Sequence, residues 1–184
     1  MGATTTQGTG PGSVANIKPL VVNGGVKSVN LTPMAVQDNL ALESKLVVVS
    51  DATVTLTEAD HAGKIVVLAR AAGVTVTLPA TSGNGAKYTI VVRTAVSSNS
   101  DIVKVGNTSD SMVGRALACA DDAGNAVKGF EVVSGDDTIT LDGSTTGGKA
   151  GDKIELIDIG GNLFAVNAFL NQTGTEATPF SATV

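Results

Sequence analysis

Few residues in this chain combine in a way that could do chemistry, and the best-spaced set is Gly143-Ser144-Thr145-Thr146-Gly147-Gly148-Lys149. It satisfies the GxxxxGK half of a phosphate-binding loop, where backbone N–H groups cradle phosphate oxygens and the lysine neutralises them. The following position should hold Ser or Thr to bind magnesium, and it is Ala150. Gly151-Asp152 and a strand pattern then stand where a helix N-terminus must aim at the phosphates. The segment reads as a hairpin loop and not as a nucleotide site.

His61 and Cys119 are the one histidine and the one cysteine, so a base–nucleophile pair can be written on paper. Neither lies in a hydrolase-like local sequence, and together they are too few for a zinc site. Cys119 reads as a small buried hydrophobe. Asp121-Asp122 and Asp136-Asp137 could gather around calcium, but they lack the spaced ligands of a calcium loop, and Asp is common in solvated turns. Arg70, Arg93 and Arg115 are the only arginines. They read as solvated strand positions, some of which could fork onto acidic groups of a partner. No catalytic residue, cofactor site or metal site is assigned, and the chain is expected not to be an enzyme.

The composition explains what must position these residues. At 184 residues with 42% hydrophobic and 16% charged side chains, the chain can bury one core and is not disordered. Trp is absent, Tyr occurs once and Phe four times, so Val, Ala, Leu and Ile must fill that core. With 22 glycines and many Thr-Val-Thr phrases, strands and tight turns are favoured over helices. The formal net charge of −5 and the scattered Lys and Arg argue against direct nucleic-acid binding. No apolar run is long enough for a spanning helix and the first residues do not resemble a signal peptide, so no membrane is expected and assembly is expected in a cytoplasm.

Residues 1–45 read as an extended N-terminal arm. Its apolar bursts at Ile17, Leu20, Val21, Val22, Leu31 and Met34 are broken by Pro19, Asn23-Gly24-Gly25 and Pro33, so they suit packing on another surface. Residues 46–172 form the body. Strands are predicted at 46–49, 53–56, 64–68, 74–78, 88–93, 102–105, 112–118, 127–133, 138–141, 154–159 and 163–170, separated by Gly, Asn and Asp turns. Thr57, three residues before Asp60 and followed by Gly63, predicts one capped helical turn. This pattern predicts an all-β fold, a single β-sandwich or β-barrel of jelly-roll-like kind, while the lack of a fixed repeat argues against a solenoid. Residues 173–184 read as a C-terminal tail that is either frayed or pegged by Phe180 to a neighbouring subunit.

The phrases running from Asp51 to Lys64, Ala72 to Pro79, Gly83 to Tyr88 and Thr146 to Asp152, with Glu155-Leu156-Ile157-Asp158, resemble small β-domain virion proteins of tailed bacteriophages. The resemblance spans about residues 46–180. It implies a capsid decoration, or cement, protein on the outer surface of the head, with the major capsid protein and its own copies (a homotrimer or homodimer at symmetry axes) as partners. The interaction residues expected on this reading are Ile17, Leu20, Val21, Val22, Leu31, Met34 and Phe180. The alternative is a receptor- or glycan-binding module of a head fibre or tail, which the lack of Trp and the single Tyr88 make poorly equipped.

Overall fold

The structure, a computed structural model, describes residues 45–121 and 126–184 and the backbone of Val21–Val22 and Gly25–Val26. The chain divides into two units, Met1–Ser44 and Lys45–Val184. In the first, β1 (Val21–Val22) and β2 (Gly25–Val26) pair antiparallel, with Val21 opposite Val26. Ile17, Leu20, Leu31 and Met34 lie outside the described residues, and for Val21 and Val22 only this backbone pairing is described.

The second unit is all-β, with one helical turn among its described residues. Its strands are β3 (Leu46–Val49), β4 (Thr53–Thr55), β5 (Ile65–Leu68), β6 (Thr75–Thr77), β7 (Lys87–Val92) and β8 (Asp101–Lys104). They are followed by β9 (Ser111–Ala120), β10 (Val127–Glu131), β11 (Thr138–Leu141), β12 (Lys153–Gly160), β13 (Leu163–Gln172) and β14 (Phe180–Ser181). Between β4 and β5 lies α1 (Glu58–His61). Its cap is the expected one: the Thr57 hydroxyl accepts the Asp60 N–H at 3.2 Å. Among the described residues no helix is long and apolar enough to cross a membrane.

Two sheets share one apolar core. The first runs β10-β9-β13-β12-β7-β5-β3 and the second β14-β11-β8-β6-β4. Each has two ends, so neither sheet closes on itself. Alternation decides which side chains enter the core: Tyr88, Ile90 and Val92 from β7, Phe164, Val166, Ala168 and Leu170 from β13, and Val76, Val103, Ile139 and Leu141 from the second sheet. Tyr88 and Phe164 meet edge to face with ring centroids 6.5 Å apart. Fully burying a side chain of Val, Leu or Ile size contributes about 1.5–3 kcal/mol, so these small residues build a sufficient core by number.

The pairing corrects one expectation. From β3 to β8 the chain alternates between the sheets, and each strand lies parallel to the one laid down a turn earlier: β3-β5-β7 in one sheet, β4-β6-β8 in the other. This is a short solenoid-like winding. Its turns are unequal, since Leu46 pairs with Ile65 but Ile65 pairs only with Thr89 further along, and Thr53 pairs with Thr75 but Thr75 with Ile102. Unequal turns leave no repeat period in the sequence. The second half adds antiparallel strands, β12 beside β7 and β11 beside β8, plus a long parallel pair, β13 with β9. A jelly roll is antiparallel throughout, and these ladders are mixed.

Residues 173–184 belong to this body. β14 pairs with β11, Ile139 opposite Phe180, and Phe180 sits in the core at 6% exposure instead of reaching out to a neighbour. The Thr183 and Val184 N–H groups donate to the Asp137 carboxylate at 2.9 and 3.1 Å.

Candidate functional site

The glycine-rich loop already holds anions of its own. The Asp142 carboxylate accepts the N–H groups of Ser144 and Thr146 at 2.7 and 3.0 Å and the Thr145 hydroxyl at 2.7 Å. Asp152 accepts the N–H groups of Gly148 and Lys149 at 2.8 and 3.1 Å. The donors a phosphate would need are therefore occupied by side-chain carboxylates, whose charge would also repel it. Burial pushes the Asp142 carboxyl up, but the Thr146 and Ser144 N–H groups and the Thr145 and Thr146 hydroxyls outweigh it and hold it below the ordinary 3.8.

The same device recurs around the body. Asp158 accepts the N–H groups of Ser82, Gly83 and Gly160, tying the turn before β7 to the end of β12. Asp110 holds Thr81 through its N–H and hydroxyl, both at 2.9 Å, and Asp152 also holds Asn171 through its N–H and amide. Asp136 and Asp137, candidates for calcium by sequence, accept instead from Val133 N–H and from Thr138, Thr183 and Val184. Among the described residues no three His, Cys, Asp or Glu side chains gather as metal ligands, and Asp122 lies outside them. These carboxylates are loop clamps, each satisfying backbone donors that the end of a sheet would otherwise leave unpaired.

Asp101 differs. It is fully buried at the start of β8, one oxygen accepts the Val74 N–H at 2.8 Å, and the other has no partner. Burial raises its pKa to about 6, only partly opposed by the Val74 N–H.

His61 and Cys119 do not meet. His61 lies in α1 just before β5, with its Nδ1 accepting the Thr57 N–H at 3.0 Å, so the ring caps its own turn. Cys119 lies on β9, and β13, β12 and β7 stand between β9 and β5. Four strand spacings make a separation on the order of 19 Å, beyond any hydrogen bond. Cys119 is exposed, which corrects its reading as a core residue. β9 points Met112, Ala116, Ala118 and Ala120 inward, and Cys119 falls on the outer parity. Arg70 is half-buried and donates to the Ala72 and Gly73 carbonyls at 3.0 and 2.6 Å, whereas Arg93 and Arg115 are exposed.

The most distinctive surface is the outer face of the seven-stranded sheet where β13, β9 and β10 adjoin. Phe169 is 53% exposed and stands opposite Leu117, which is 40% exposed and stands opposite Gly129. Val127 adds to this patch with Cys119 opposite it, whereas Val113 lies beyond the polar row Asn167-Arg115-Glu131. Toward the centre of the sheet, Glu155 takes both Lys87 at 3.2 Å and Lys153 at 3.1 Å, and the Lys153 ammonium lies 5.6 Å from the Phe169 ring centre. These ammonium groups hold the Glu155 carboxyl below its ordinary value. The result is an apolar patch bordered by charge, the usual composition of a protein contact surface. Sequence reasoning placed these strands without singling out the patch. The signal was present in Leu163-Phe164-Ala165-Val166-Asn167-Ala168-Phe169-Leu170, which is apolar at most positions of both faces. No family model, curated protein or solved structure matches the chain.

Proposed function

We propose that this chain is a structural virion protein that binds the outer surface of a tailed-phage capsid and cements neighbouring major capsid protein subunits. The observation that carries the contact role is the apolar patch of Phe169, Leu117 and Val127, which holds the one strongly exposed aromatic ring among the described residues and is bordered by the charges of Lys87, Glu155 and Lys153. The capsid as partner rests on the resemblance of residues 46–180 to phage virion β-domains. In this reading the protein self-associates at a symmetry axis of the head, and residues 1–45 supply further apolar contact through Ile17, Leu20, Val22, Leu31 and Met34.

The glycan-binding alternative is less well supported. Tyr88, the single tyrosine, is buried at 1% exposure, and Phe169 is the one strongly exposed aromatic among the described residues. Sugar sites ordinarily need an aromatic platform beside convergent polar groups.

The test is labelling of intact particles with antibody to the protein, paired with a binding assay on undecorated heads. Full-length chain is expected on the head exterior, and deletion of residues 1–45 is expected to abolish binding while the remainder keeps its strand-rich circular dichroism. Label on the tail instead, or unchanged head binding by the deletion variant, would count against the capsid reading and the arm reading respectively.

A further inference from the structure

β10 is an end strand of the seven-stranded sheet, and its unpaired edge carries a specific register. The flanking bonds Ala120 N–H to Ala126 carbonyl at 2.9 Å and Val132 N–H to Gly114 carbonyl at 3.1 Å fix which residues of β10 bond to β9. Antiparallel ladders alternate, so Lys128 and Phe130 bond inward to β9, and the N–H and C=O groups of Val127, Gly129 and Glu131 point away from it. Among the described residues nothing pairs with that edge.

The devices that normally protect an edge are weak here. β10 has no proline, its ladder shows no register shift, and its one lysine is engaged in the 2.8 Å ion pair Lys128–Glu176. Glu131 stands opposite Arg115 of β9. The edge is thus close to neutral and bears Val127, one of the most exposed apolar residues described, at 62%.

We propose that β10 pairs antiparallel with β10 of a second copy about a two-fold axis at Gly129, joining two seven-stranded sheets into one. The three outward-bonding residues are spaced symmetrically about that centre. Gly129 meets Gly129, and Val127 of one copy meets Glu131 of the other, so every outward N–H and C=O of the strand finds a partner in a self-complementary register. On the outer face, the paired glycines leave room for Leu117 from each copy, whose methyl carbon lies 3.8 Å from where a Gly129 side chain would begin. The apolar row Phe169-Leu117-Gly129 then continues across the axis. With 5 residues in the strand, the dimer is concentration-dependent and not obligate. The inference deepens the self-association of that reading but rests on this edge alone: its failure would remove this dimer and leave binding to the head standing, and failure of head binding would leave the dimer standing.

Sedimentation velocity of the full chain over a wide concentration range tests it. The expected result is an equilibrium between 18.3 kDa and twice that mass. Gly129→Pro removes an N–H that β9 does not use, and should leave a monomer. Val127→Glu sets two carboxylate pairs across the axis and should weaken the dimer about tenfold, whereas Val127→Lys faces Glu131 and should tighten it. Val127 is a surface position, so this pair decides the matter even if Gly129→Pro disturbs the fold. A chain that stays monomeric at all concentrations, or an oligomer that responds to neither charge at position 127, overturns the proposal.

Discussion

Asp101 shows how one buried side chain can set a pH dependence. Gly73, at φ +76°, lies so close to Ser100 that an added Cβ would overlap the Ser100 carbonyl, and this close approach brings Val74 onto the Asp101 carboxyl. The second carboxyl oxygen is left without a partner, which penalises the charged form. The folded pKa, about 6, lies above the ordinary 3.8, so the folded state holds the proton more tightly than the unfolded one. The stabilisation linked to Asp101 is therefore complete below about pH 4 and is lost as pH rises through 6. Asp101→Asn keeps an acceptor for Val74 and cannot ionise. Urea denaturation should show it more stable than the parent at pH 8, by about 2–3 kcal/mol, with the gain vanishing near pH 4. A variant equally destabilised at both pH values would rule out this account.

Among the elements, β14 and β9 show how segments that look expendable are built in. Residues 173–184 resemble an end with one bulky residue, but Phe180 enters the core and the last N–H groups close onto Asp137. Phe180→Ala should cost about 3–5 kcal/mol, because it deletes a buried ring and leaves a cavity; thermal unfolding followed by circular dichroism measures it. A loss below 1 kcal/mol would mean that the tail is not anchored in solution. In β9 the special position is Gly114, at φ +132° in the middle of the strand, where a side chain would run into the Val166 carbonyl of β13. Gly114→Ala should destabilise by roughly 2 kcal/mol or more, since it combines a strained backbone with a main-chain clash. Both costs would register as a lower midpoint with the denaturant slope retained.

Taken whole, the body has two opposing sets of carboxylates. Asp137, Asp142 and Asp158 are each pushed up by burial but held below their ordinary value by the N–H and hydroxyl groups they clamp, so what they contribute is present above pH 4 and lost as pH falls further. Asp101 works in the other direction. Stability of the whole molecule should therefore peak between about pH 4 and pH 6 and decline on both sides. A series of melting temperatures across that range checks it, and Asp101→Asn should flatten the alkaline limb alone.

The sequence by itself determined the class, the strands and their faces. Val74, Val76 and Leu78 alternate with Thr75 and Thr77, and all three apolar residues are buried; the Thr57 cap and the turns at Ser82-Gly83-Asn84-Gly85 and Gly160-Gly161-Asn162 are equally local. Alternation and turn chemistry act over a few residues, so they can be read from the chain. Tertiary structure decided which strands became neighbours. The consecutive apolar runs Leu46-Val47-Val48-Val49 and Ile65-Val66-Val67-Leu68 hinted at parallel pairing, yet the unequal turns between them concealed the winding. It also decided that Cys119 faces out, that Phe180 faces in, that His61 and Cys119 stand apart, and that the aspartates of the turns are clamps. Each of these depends on partners distant in sequence, and a residue's own neighbours carry no record of what the folded sheets bring against it.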